Sequence, residues 1–192
     1  MESIRIIKNF ITSDEQAVLV NYTDYLEQAV NEKFAIYQDG KRLALQFGDD
    51  SAYPETSWLT LDLIREKEPM IRELFTRVIQ ATKSSFEVAA ELDLYVCSFW
   101  FAKQYPGATV KKHDDSDEGH NKHFTYSAVL YLNSLEDSGD LEFLSYNYSH
   151  RPAAGDLVIF PSQGTGMHQV SKISETRYSL PFWITTDQKL EL

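Results

Sequence analysis

Between residues 91 and 186 the chain breaks into seven short segments rich in β-branched and aromatic residues: 92–103, 108–113, 124–133, 140–144, 156–160, 166–170 and 177–186. Turn-forming sequences separate several of them, including Tyr105-Pro106-Gly107, Asp137-Ser138-Gly139 and Pro152-Ala153-Ala154-Gly155-Asp156. Many short strands joined by such turns read as a sandwich or jelly roll, not as a helical bundle.

The first half has a different period. Val18, Tyr22, Leu26, Ala29 and Val30 recur at helical spacing behind Ser13-Asp14-Glu15-Gln16, which has the form of a capping box, so a helix is expected over about 14–32. Lys41 to Phe47 reads as a strand. Pro69 suits a first helical turn, and Ile71, Leu74, Phe75, Val78 and Ile79 continue one apolar stripe, which predicts a helix over about 68–86. The expected fold is mainly β with N-terminal helices (α+β), a double-stranded β-helix or jelly roll flanked by helices. Without a linker or repeat, 1–192 reads as one domain, with 1–90 as largely helical support and 91–186 as the core.

Composition narrows the function classes. A net charge of −11, with no basic cluster beyond Lys111-Lys112, disfavours nucleic acid as a partner. No apolar run approaches the roughly 18 residues of a membrane span, and MESIRIIKNF lacks the apolar stretch of a signal peptide. The single cysteine, Cys97, lies in the apolar run Leu94–Trp100 and reads as a buried thiol. A cytoplasmic setting with no membrane partner is expected.

Chemistry is carried by few residues. Of five histidines, His150 stands in a polar turn and is expected to face water. His113-Asp114-Asp115 ends a predicted strand, where residues i and i+2 share a face, so His113 and Asp115 point one way and Asp114 the other. His168 follows on another predicted strand. Two imidazoles and a carboxylate on one side of a metal leave open positions opposite, the arrangement of non-haem iron(II) oxygenases. Alone, a His-x-Asp is more often a surface turn. His120 and His123, in the polar loop 116–123, offer a rival pair, either as ligands in place of His113 or as residues at the rim touching substrate.

The company this motif keeps decides the reading. Tyr105-Pro106-Gly107 precedes it. Ser127-Ala128-Val129-Leu130-Tyr131-Leu132-Asn133, Ser138-Gly139-Asp140-Leu141-Glu142-Phe143 and Ala154-Gly155-Asp156-Leu157-Val158-Ile159-Phe160 follow in order, and Arg177 stands nine positions after His168. Over about residues 95–186 this ordered set resembles the 2-oxoglutarate/iron(II)-dependent dioxygenase superfamily, in particular its prolyl-hydroxylase-like branch. The resemblance implies Fe(II) held by His113, Asp115 and His168, with 2-oxoglutarate and O2 as cosubstrates and ascorbate as an optional reductant. It implies that Arg177 receives the distal carboxylate of 2-oxoglutarate, a role that suits a planar guanidinium in a dry cavity. By the same resemblance Tyr131 adds a hydroxyl to that carboxylate and Tyr105 lines the pocket near the metal. Set against this stand plainer readings, Arg177 paired with Glu175 or Asp187 at the surface and either tyrosine as ordinary core; the spacing of Arg177 from His168 favours the ligand role.

The activity implied is hydroxylation of an aliphatic C–H with release of succinate and CO2. A prolyl or other peptide side chain is the leading substrate class, ahead of another small molecule. The loops at 48–57 and 116–123 are the expected substrate rim. Two alternatives remain: an AlkB-like nucleic-acid demethylase, against which Trp183 stands where that branch carries a second arginine, and a non-catalytic jelly-roll binding module.

Overall fold

The computed structural model describes residues 4–29, 36–37, 42–48, 68–116 and 122–190. The expected rim loops fall mostly outside them, as do His120 and the predicted continuation of the first helix over 30–32.

Helix α1 runs Ser13–Ala29, and its cap is Thr12 rather than Ser13. Thr12 Oγ1 accepts from the Glu15 amide at 3.2 Å, and Glu15 Oε2 accepts from the Thr12 amide at 2.7 Å. The sequence contains two overlapping boxes; the one closed by a carboxylate prevails, because a charged acceptor gains more at the positive end of the helix than the Gln16 amide would. The Glu15 carboxylate also pairs with Arg77 on the second helix at 2.5 Å. The buried stripe of α1 is Leu19, Tyr22 and Leu26; Val18, assigned an inward place by spacing, is 40% exposed, and Leu19 one position on takes that place.

Helix α2, Glu68–Ser85, starts with Pro69 in its first turn and buries Ile71, Leu74 and Val78, with Phe75 and Ile79 partly buried beside them. A single turn, α3 (Glu87–Ala90), follows. No helix among the described residues is long and apolar enough to cross a membrane.

The strands are β1 (Arg5–Ile7), β2 (Ile36–Tyr37), β3 (Arg42–Gly48), β4 (Tyr95–Gln104), β5 (Val110–His113), β6 (Phe124–Tyr131), β7 (Leu141–Phe143), β8 (Tyr148–His150), β9 (Leu157–Pro161), β10 (His168–Val170) and β11 (Arg177–Thr185). They form two antiparallel sheets among the described residues, one ordered β1-β9-β6-β11-β4-β3-β2 and the other β5-β10-β7-β8. The result is a jelly-roll-like pair of sheets rather than a closed barrel, with helices on one side, as the strand and turn pattern predicts.

Alternation along the strands divides the interior into two layers. On β11, Leu180, Phe182 and Ile184 join Leu19, Leu74 and Val78 in the core between large sheet and helices. The opposite faces of β6 and β9 supply Val129, Tyr131, Val158 and Phe160, which pack against Leu141, Phe143 and Val170 of the small sheet. Each such side chain contributes roughly 1.5–3 kcal/mol when fully buried. Lys103, on the helix-facing side of β4, reaches Asp24 and Glu27 of α1, both at 2.7 Å, and ties helix to sheet through charge as well as apolar contact.

Candidate active site

Between the two sheets lies a cavity whose walls include His113, Asp115, His168, Gln104 and Arg177. Strand pairing accounts for the histidines: β5 and β10 are antiparallel neighbours and His113 stands directly opposite His168, their ring centroids 4.3 Å apart. Asp115, two residues beyond His113, brings Oδ1 to 3.3 Å from His113 Nε2. The three residues offer ligand atoms that all lie within 4.8 Å of one another, the one group of this kind among the described residues. Asp114 turns away, as i+2 alternation requires: it accepts from the amides of Ser116 at 3.2 Å and Gly164 at 3.1 Å, tying the end of β5 to the turn that leads into β10.

The rings are oriented from behind. His168 Nδ1 lies 2.7 Å from the Gly166 carbonyl and His113 Nδ1 lies 2.9 Å from the Lys111 carbonyl. A carbonyl only accepts, so each Nδ1 carries the proton and each Nε2 presents a lone pair, the tautomer a metal requires. Burial pushes the His168 imidazole below its usual range, toward the neutral form, although the Asp115 charge opposes this. Burial alone would raise the Asp115 carboxyl; His113 and His168 hold it down to about 2 when they are protonated, and a cation held between the three residues would take over that part. A neutral imidazole presenting Nε2 and an ionised carboxylate fit a divalent cation.

Glycine is required at 166: a Cβ there would meet the Pro161 carbonyl oxygen at 2.0 Å. The 164–166 turn is thus packed against the end of β9, which fixes the carbonyl that orients His168.

Arg177 is not at the surface. It is 5% exposed, and Nη1 donates to Gln104 Oε1. Its Cζ lies 5.0 Å from the Tyr131 ring centroid. Asn133 pins the chain on either side of it: Nδ2 donates to the Thr176 carbonyl and Oδ1 accepts from the Tyr178 amide, both at 2.8 Å. Gly139, at φ +71°, allows the turn before β7 to lie against the stem of Arg177, where a Cβ would stand 3.7 Å from Cδ and 2.7 Å from Leu135 Cδ1. Arg177 Nε, Gln104 Nε2, Tyr131 Oη and Ser179 Oγ are buried without a hydrogen-bond partner. Three of these residues, Arg177, Gln104 and Ser179, line the cavity, and a buried cation with unpaired polar atoms beside it fits a carboxylate-bearing ligand, since orphaned buried donors are otherwise costly.

Other expectations fare differently. Tyr131 is fully buried behind Arg177; burial raises its phenol, with the guanidinium opposing. Tyr105 does not line the cavity; its ring lies 5.4 Å from the Lys103 ammonium. Its neighbour Gln104 faces inward instead, because Gln104 is the residue paired with Arg177 across β4 and β11. His123 packs edge-on to Phe124 at 4.6 Å and is not part of the three-residue cluster. His150, expected to face water, is 8% exposed, with Nε2 at 3.5 Å from Asp156 Oδ2 and its ring 5.6 Å from that of Tyr131. Pairing of β8 with β7, His150 opposite Leu141, draws it inward despite its polar neighbours.

The comparisons with known proteins agree with this geometry. Residues 99–185, a stretch that contains His113, Asp115, His168 and Arg177, match the family model of the 2OG-Fe(II) oxygenase superfamily. No curated protein matches the chain in sequence. Among solved structures, the chain is similar to a Pseudomonas putida prolyl-4-hydroxylase at 24% identity and TM-score 0.63, over 97% of this chain and 94% of that one. It is similar to a Trichoplax adhaerens prolyl hydroxylase, in complex with a hypoxia inducible factor oxygen degradation domain peptide fragment, at 17% identity and TM-score 0.67, over 99% and 86%. The viral collagen prolyl hydroxylase of Paramecium Bursaria Chlorella virus-1, solved with 2OG, gives 17% identity and TM-score 0.55 over 96% of each chain. At these identities the likeness is one of fold.

Proposed function

We propose that this chain is a hydroxylase of an aliphatic C–H, with a prolyl or other peptide side chain as its substrate, that holds Fe(II) through His113, Asp115 and His168 and 2-oxoglutarate through Arg177 and Tyr131. The observation that carries the reading is the sharing of one cavity by the His-Asp-His cluster and a buried guanidinium. The printed names of the similar structures, prolyl hydroxylases and one of them with a peptide, support the substrate class.

Fe(II), 2-oxoglutarate and O2 would together supply the oxidising chemistry, with succinate and CO2 released as the C–H is hydroxylated. The chain's own residues bind and orient. Backbone carbonyls of Lys111 and Gly166 keep both imidazoles turned with Nε2 forward. Arg177 meets the distal carboxylate as a charged, multi-donor partner in a site screened from water, where such a pair is strong. Tyr131 adds a hydroxyl to the same carboxylate. Trp183, in the cavity wall and 4.8 Å from Trp100, supplies an apolar surface that excludes water beside the metal ligands.

The test is to purify the protein without oxygen, add Fe(II) and 2-oxoglutarate, admit O2 and measure succinate. Formation of succinate, lost in His168→Ala and Asp115→Ala, is the expected result. Absence of both succinate and Fe(II) binding in the unaltered chain would leave a binding module instead. A panel of proline-containing peptides then tests the substrate class, with methylated oligonucleotides as the contrasting arm.

A further inference from the structure

Gln104 is a buried amide whose NH2 meets no hydrogen-bond partner in the fold. It lies at the end of β4, is 1% exposed, and lines the cavity between the sheets. Its register partner on β11 is Arg177, and directly opposed residues in an antiparallel pair share a face, so both side chains enter the same space. The next pair inward, Ala102 opposite Ser179, is small and leaves room above it.

The amide's orientation is fixed by chemistry. A guanidinium has donors only, so the atom of Gln104 that meets Arg177 Nη1 must be the carbonyl oxygen, as the structure has it. The NH2 group must then face elsewhere, and Nε2 is buried with no partner. Arg177 Nε is in the same condition. Two unsatisfied donors, one on each member of a hydrogen-bonded pair, therefore open on one cavity. A buried donor left unsatisfied is costly, and an acceptor bearing two oxygens relieves both at once.

We propose that Gln104 is a cosubstrate-binding residue: its carbonyl aims the Arg177 guanidinium, and its NH2 donates to the distal carboxylate that Arg177 receives. The inference rests on the proposed binding of 2-oxoglutarate at Arg177. The pair is also a charge filter. A neutral amide leaves the guanidinium its full charge for the ligand, whereas an acid at 104 would neutralise it and repel the carboxylate.

The experiment uses the full chain loaded with Mn(II) in place of Fe(II), so that binding is read without turnover. Calorimetry measures 2-oxoglutarate and, as a ligand of equal carbon number without the distal carboxylate, 2-oxopentanoate. Gln104→Met, which keeps volume and removes both hydrogen-bonding atoms, should weaken 2-oxoglutarate about ten- to a hundredfold, the range carried by one hydrogen bond to a charged group. Its binding of Mn(II) and of 2-oxopentanoate should stay as in the unaltered chain. Gln104→Glu should weaken 2-oxoglutarate at least as much. Gln104→Met binding 2-oxoglutarate as the parent does would overturn the proposal. So would a parallel loss of both 2-oxo acids or of Mn(II), since the side chain would then act on the metal site or the fold. If the unaltered chain binds Mn(II) but never 2-oxoglutarate, the cosubstrate reading itself fails, an outcome distinct from these.

Discussion

Replacing Gly166 with alanine should damage metal binding without touching a metal ligand. The added Cβ would stand 2.0 Å from the Pro161 carbonyl oxygen, against a floor near 3.0 Å for real contacts, so the turn must retreat by at least 1.0 Å (3.0 − 2.0). The obstacle is backbone of β9, a strand paired on both sides with β1 and β6, and it cannot swing away as a side-chain tip would. Overpacking of this sort costs about 1–3 kcal/mol in stability. The larger consequence is chemical. The carbonyl that retreats is the one 2.7 Å from His168 Nδ1, and moving it by a third of that length breaks the contact that sets the ring. Loss of a partner behind a metal-binding histidine typically lowers affinity about 10- to 100-fold. The assay is a Mn(II) or Fe(II) titration of Gly166→Ala without oxygen, alongside thermal unfolding. Gly164→Ala is the matched control: no atom lies within 4 Å of its added Cβ, so the change acts only through its φ of +67°. It should lose about 1–2 kcal/mol from the left-handed backbone and keep its metal affinity. If Gly166→Ala binds metal as the parent does, or if the two alanine variants lose affinity equally, the argument linking this turn to His168 is wrong.

Three further outcomes are expected. Asn133→Ala frees the Thr176 carbonyl and the Tyr178 amide on either side of Arg177; it should lower stability by about 1–3 kcal/mol and raise the 2-oxoglutarate KM severalfold with metal affinity unchanged, checked by unfolding and cosubstrate titration. Lys103→Met removes the cation shared by Asp24 and Glu27, whose side chains are 38% and 32% exposed, so solvent screening limits the loss to about 1 kcal/mol; thermal unfolding should register it while 2-oxoglutarate affinity stays constant. Burial pushes the Cys97 thiol up to about 12, so at pH 8 it is protonated when folded and should resist iodoacetamide until denaturant exposes it, which mass spectrometry of the alkylated chain would read.

What the sequence made legible is what short-range periodicity encodes. Alternation placed His113 and Asp115 on one side of a strand end, and the strands around residues 124–133 and 177–186 emerge close to their predicted bounds. Gln104 was hidden because its importance depends on which residue of β4 faces Arg177. That register is set by pairing with a strand more than 70 positions away, and Tyr105 next to it is the more conspicuous side chain. His150 was misjudged for a related reason: Tyr148, Ser149 and Arg151 beside it are exposed, and only the pairing of β8 with β7 turns it inward. The requirement for glycine at 166 arises from the carbonyl of a different strand, and no local pattern announces it. The cap of α1 could have been read locally, since a carboxylate outcompetes an amide at a helix start.

Along β11 the odd-numbered positions 177, 179, 181 and 183 line the ligand chamber, while 180, 182 and 184 pack in the core against the helices, with Phe182 also reaching the chamber wall. Reactivity and solidity are therefore written as alternate letters of a single line of text. Deleting one letter would hand the chamber a wall of Leu and Phe and push a guanidinium against oil, so the strand can drift in spelling but not in length. Diversification of what such a protein recognises is thereby driven outward, to the connections between strands, where insertions leave that alternation intact.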